Sequence, residues 1–134
     1  MVKSKLCFYL VLVFISMLAS CGLQEVENYG FDRKFSPDGK SVEIWYFRNA
    51  GATTATVTAF SLYRVGADER YALDHPILVI NAELSSFPIT KWKSLDLLEI
   101  ELVGIEERKI FIKDTERSGV KIAINPVPGE GAAK

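Results

Sequence analysis

His75 is the only histidine of the chain, and a lone imidazole beside Pro76 could act as a general base if a nucleophile stood within hydrogen-bond reach. No Ser-His-Asp or Cys-His arrangement is legible around it, so a loop histidine without a catalytic role is expected. Asp68, Glu69 and Asp74 lie close to it in sequence and could attract a cation. They lack the alternating oxygen-ligand spacing of a calcium loop, and one histidine without a spare cysteine does not make a zinc site. Glu99 and Glu101 would share a strand face, as a glycosidase carboxylate pair must. Alternation with Leu98 and Ile100 accounts for them as the wet side of that strand. The only GxG, at residues 129–131, sits in a tail and cradles no phosphate. These residues predict a protein that is not an enzyme, with no cofactor and no metal.

Binding is the other chemistry open to such a chain. Thr54, Thr56 and Thr58 would project from one strand face with Phe60, and Thr53 precedes them. Trp45, Tyr46 and Phe47 follow one another, and three successive strand residues cannot all point inward. The expected interaction surface is therefore Trp45, Tyr46, Thr53, Thr54 and Thr56. With 16 Lys+Arg against 17 Asp+Glu the formal charge is −1, far from the basic excess of a nucleic-acid binder.

The 49% apolar content of the 134 residues is not evenly spread. Lys3 and Lys5 open the chain, Leu6 to Leu18 carry no charge, and Ala19 and Ser20 lead into Cys21. Positive start, short apolar core and small-residue exit are the layout of a secretory signal, and the core is shorter than the roughly 20 residues that span hydrocarbon. The competing reading, a spanning anchor over residues 6–23, is weakened by Ser20 and Gly22. Leu18, Ala19, Ser20 and Cys21 resemble the lipobox of bacterial lipoproteins, in which the thiol receives a diacylglyceryl group and cleavage leaves the Cys as the mature N-terminus. The resemblance implies a membrane lipid held through Cys21 and a domain facing away from the cytoplasm. Gly22 in place of Asp after that Cys implies the periplasmic face of the outer membrane. Without residues 1–20 the charge becomes −3 over 114 residues, and with Cys7 discarded and Cys21 acylated no disulfide is left.

These residues must be positioned by strands. Ser41–Arg48, Thr53–Tyr63, Ile77–Asn81, Ile89–Lys93, Leu98–Leu102 and Val120–Ile124 are β-branched or aromatic runs with a period of two, and Ile110 with Ile112 suggests one more. Turn signals separate them at Pro37-Asp38-Gly39, Asn49-Ala50-Gly51, Gly66-Ala67-Asp68, Gly104 and Ser118-Gly119. A helix could fit only in Ala67–Leu73 or Ser94–Leu98. The expected fold is all-β: an antiparallel sheet of six to seven strands closed as a small sandwich or open barrel, behind an N-terminal signal helix. The expected organisation is signal 1–20, tether 21–30, globular body 31–124 and tail 125–134.

Ser36-Pro37-Asp38-Gly39-Lys40 resembles the turn that opens TolB-like and WD-like propeller blades. One copy excludes a propeller, which needs at least about four blades of ~40 residues. Over residues 36–63 the chain is similar to small, uncharacterised bacterial lipoproteins that share this turn, a strand, a GATT step (Gly51, Ala52, Thr53, Thr54) and a second strand. Ile89, Trp92 and Leu98 fit that family's later tryptophan-bearing strand. Members with a Cys before the GATT glycine differ from this chain, which has Ala50. The resemblance implies a β-rich envelope domain and supplies no catalytic residue. The expected function is a lipid-anchored, non-enzymatic binding module for an envelope protein or polymer. The alternative is an inhibitor or immunity-type lipoprotein that blocks a toxin or cell-wall hydrolase with a loop such as 65–76 or 49–54.

Overall fold

The computed structural model of the chain describes residues 26–49 and 55–129, together with Tyr9. Apart from Tyr9, the expected signal helix and lipobox, and likewise residues 51–54, fall outside the described residues.

Two sheets face each other. The first has the order β1 (Glu27–Phe35), β2 (Ser41–Asn49), β3 (Val57–Arg64), β4 (Leu78–Ile80), β7 (Ile110–Ile112), and every pairing in it is antiparallel. The second has the order β5 (Ile89–Ser94), β6 (Leu97–Val103), β9 (Val120–Val127), β8 (Glu116–Arg117). There is no closed barrel among the described residues, so the sandwich form of the expected all-β fold is the one adopted. One pairing departs from the antiparallel expectation: β6 and β9 run parallel, with Leu98 beside Ile122 and Val103 beside Val127. After β6 the chain crosses to the first sheet for β7 before returning through β8. Parallel neighbours need such a crossover.

The apolar period places the core between the sheets. Trp45, Phe60 and Leu78 from the first sheet meet Leu98, Ile100 and Ile122 from the second, all nearly inaccessible to water. No cysteine occurs among the described residues, so burial, worth about 1.5–3 kcal/mol for each large apolar side chain, holds the sandwich together.

Strand β2 is buried at six consecutive positions, Ser41 to Tyr46, because both its faces are covered. Glu43, Trp45 and Phe47 face the second sheet. Ile44 and Tyr46 face outward, where a short helix, α1 (Glu69–Asp74), packs with Leu73 over them. Of the two segments with room for a helix, 67–73 forms one and 94–98 is a strand-to-strand turn. Asp68 caps α1 by accepting the Arg70 N–H at 3.0 Å. The Leu73 carbonyl at its other end accepts from Tyr46 Oη at 2.8 Å and Arg48 Nη1 at 2.7 Å. Burial pushes the Tyr46 phenol up to about 12.

The hairpin from β1 to β2 is the Ser36–Ser41 turn. The Gly39 N–H donates to the Ser36 carbonyl at 2.9 Å, with Gly39 at φ +70°. The Ser36 hydroxyl donates to Asp38 Oδ1 at 2.6 Å and accepts the Ser41 N–H at 3.0 Å. That hydroxyl, followed by the Lys40 N–H, holds the Asp38 carboxyl below its ordinary range.

The folded body is longer than 31–124. Strand β1 begins at Glu27, inside the expected tether, and β9 runs to Val127, inside the expected tail. Strand β1 carries a bulge between Tyr29 and Asp32. It turns the strand over: Tyr29 packs on Phe47 toward the second sheet, whereas Phe31, two residues on, packs on Tyr46 of the outer face. Gly30 makes this possible at φ +68°, and a Cβ there would stand 2.6 Å from Phe47 Cδ2. Gly30→Ala is expected to cost about 1–3 kcal/mol, read as a lower denaturant midpoint at unchanged slope.

Candidate functional site

The structure corrects the expected interaction surface. Trp45 is 2% exposed and Tyr46 is fully buried, so neither can meet a partner. Thr53 and Thr54 lie outside the described residues. Thr56 is half-buried and accepts the Tyr29 hydroxyl at a long 3.5 Å. Thr58 and Phe60 point into the core instead of forming a surface ladder. The Thr58 hydroxyl donates to the Ala82 carbonyl at 2.7 Å and accepts the Leu84 N–H at 3.2 Å, tying down the segment that leaves β4.

The residues considered for catalysis are engaged locally. His75 is exposed, and its ring stacks on Tyr71 at 4.1 Å. Its Nδ1 lies 2.9 Å from the Tyr71 carbonyl, which can only accept, so Nδ1 carries the hydrogen. Glu101 stands 3.3 Å from Lys91 Nζ, and Glu99 stands 3.8 Å from Lys93 Nζ. Both are cross-strand ion pairs on the wet face of β5 and β6. The acidic trio is dispersed: Asp68 caps α1, and Glu69 turns toward Arg33 of β1. Among the described residues no group of three or more His, Cys, Asp or Glu side chains could hold a metal ion.

Glu69 joins three elements. Arg33 grips it with two N–H groups, at 3.0 Å and 2.5 Å, and the Tyr63 hydroxyl of β3 donates to the same carboxylate. The Arg33 hydrogen bonds hold the Glu69 carboxyl below its ordinary value of 4.5, with the Tyr63 hydroxyl adding to the effect. Burial and then the bond to Glu69 push the Tyr63 phenol up. A carboxylate with a lowered folded-state pKa contributes stability above its unfolded value. That contribution is lost as the pH falls from about 4.5 through the folded value. Both partners are substantially solvated, so it amounts to about 0.5–1 kcal/mol. Glu69→Gln should be less stable by that amount near neutrality, with the gap closing in acid; urea titrations across that range measure it.

This clasp joins α1 to a face on which three aromatic side chains reach the surface. Phe35 is 68% exposed, Tyr71 62% and Phe31 40%. Phe31 and Phe35 belong to the outer face of the first sheet, where α1 lies, and Arg33 between them stacks its guanidinium over the Phe31 ring at 4.8 Å. Beside Tyr71, an open groove of about 620 Å³ runs past Tyr63, Arg64 and Asp68 to Glu116 and Ser118. The outer face around α1 is therefore the candidate site. Sequence reasoning missed Phe31 and Phe35 because β1 was not legible as a strand. The Phe31, Arg33, Phe35 alternation was the available signal.

No protein-family model, no curated protein and no solved structure matches the chain.

Proposed function

We propose that the protein is a lipid-anchored, non-enzymatic module of the bacterial cell envelope that binds another protein or an envelope polymer through the outer face of its first sheet. The observation that carries the anchor is the ordered run of Lys3 and Lys5, an uncharged core to Leu18, and Leu18-Ala19-Ser20-Cys21. Among the described residues no helix is long and apolar enough to cross a membrane. Two or three acyl chains on Cys21 would hold the domain firmly, at about 0.8 kcal/mol per buried CH₂. The binding role is supported by Phe31, Phe35 and Tyr71, large rings kept in water on a face braced by Arg33 and Glu69. Gly22 after the lipidated Cys favours the periplasmic face of the outer membrane.

An inhibitor or immunity-type role draws on the same face. Segment 65–76 presents Tyr71 from a helix fixed at both ends by Asp68 and by Tyr46 with Arg48, as a blocking loop requires. Under this reading, deletion of the gene sensitises cells to an external toxin or cell-wall hydrolase.

Metabolic labelling with a palmitate analogue tests the anchor. Wild type should take up label and sediment with membranes, and Cys21→Ala should lose both. A Cys21→Ala chain that stays on the membrane points to a spanning segment instead.

A further inference from the structure

We infer that one end of the sandwich, rimmed by Ile89, Val103, Ile105 and Val127, sits directly on the phospholipid surface; this rests on the lipid-anchor reading above. The start of β1 and the rim occupy the same end. Glu27 pairs with Asn49, and Phe47 touches both Tyr29 of β1, at 5.6 Å, and Phe87, at 5.1 Å. Phe87 and Ile89 share a groove with Val103 and Ile105, and a second groove joins Ile105 to Val127. Val103 is paired with Val127, and the Gly104 N–H donates to the Val127 carbonyl at 2.9 Å. The aliphatic side chains of the rim stand together in water: Ile89 is 58% exposed, Val103 55% and Val127 39%, with Val26 at the foot of β1 at 43%.

Chain length selects the occupant. Five residue steps separate Cys21 from Val26, at most roughly 18 Å of extended chain. The nine-residue β1 is itself roughly 30 Å long. An acylated Cys21 therefore keeps the foot of β1 within one tether length of the headgroups and the rim at the same end near them, while the Ser36–Ser41 hairpin can stand a full strand further out. A tether of this length would also allow the domain to lie on its side. Covering aliphatic surface favours the rim-down orientation and leaves the outer face with Tyr71 clear of the membrane.

The test uses the mature lipidated chain in vesicles of phosphatidylethanolamine and phosphatidylglycerol that contain a spin-labelled phospholipid. Its only cysteine, Cys21, is blocked when acylated, so an introduced cysteine is the sole free thiol. An environment-sensitive fluorophore on Val103→Cys, and separately on Ile89→Cys, should lose emission to the lipid quencher. On Val65→Cys, 54% exposed and joined to the hairpin through the Lys40 carbonyl, it should keep its emission. Equal quenching at residues 103 and 65, or none at 103 and 89, overturns the inference. Shielding of 103 that appears only in native envelope, and not in pure lipid, overturns it in favour of a protein partner. The parent chain without an introduced cysteine separates the two readings: if it takes the fluorophore, Cys21 is free and the lipid anchor itself has failed.

Discussion

Trp45→Ala should lower stability by about 3–5 kcal/mol, a large part of the 5–15 kcal/mol of a typical domain. The indole is 2% exposed, packs on Phe60 at 4.8 Å and stacks on Phe87 at 5.9 Å, so truncation opens a hole between the sheets. Trp45→Phe should cost much less, about 1–1.5 kcal/mol, for a specific reason. Trp45 Nε1 finds no hydrogen-bond partner among the described residues, so phenylalanine gives up area but no hydrogen bond. Denaturant melts of the two variants decide the matter. If both were as stable as wild type and only partner binding changed, Trp45 would be a surface residue after all.

The second large effect is expected at Glu43. Its carboxyl group is 3% exposed and accepts from Trp92 Nε1 at 3.0 Å and from the Thr90 hydroxyl, joining β2 to β5 across the core. Glu43→Ala removes the acceptor, leaves two half-buried donors without it and empties a buried site between the sheets, which should cost about 2–3 kcal/mol. Glu43→Gln keeps an amide oxygen for Trp92 and offers its NH₂ to the Thr90 oxygen, and should recover more than half of that loss. A sandwich indifferent to Glu43→Ala would mean that apolar contact alone fixes how the two sheets sit. Amide hydrogen exchange gives an independent reading: protection should fall first in β5, the edge strand that Glu43 holds.

The alternating strands were the legible part of the sequence. Leu98, Ile100 and Leu102 against Glu99 and Glu101 marked β6 as half-buried, and Glu99 and Glu101 do carry its wet face, paired with lysines. Strand β1 was not legible because it is an edge strand held chiefly by backbone pairing with β2. It buries little, and its bulge at Gly30 breaks the period that would have revealed it. The error at Trp45 and Tyr46 has a different origin. Alternation along one strand shows that its faces differ in place, not which of them is covered. Here one cover comes from the second sheet and the other from α1, both distant in sequence. Glu43 was obscured in the same way, since an acid within an apolar run reads as the wet side until its partners, Thr90 and Trp92, are seen. The aromatic outer face was half visible: the sequence left room for a helix over Ala67–Leu73, but only the fold brings Tyr71 to the same side as Phe31 and Phe35.

The most direct test of the account is the intact mass of the protein extracted from membranes with detergent. A lipid-anchored protein begins at Cys21 and is heavier than residues 21–134 by a diacylglyceryl group with or without a further acyl chain. A chain that still begins at Met1 at its unmodified mass would contradict the anchor.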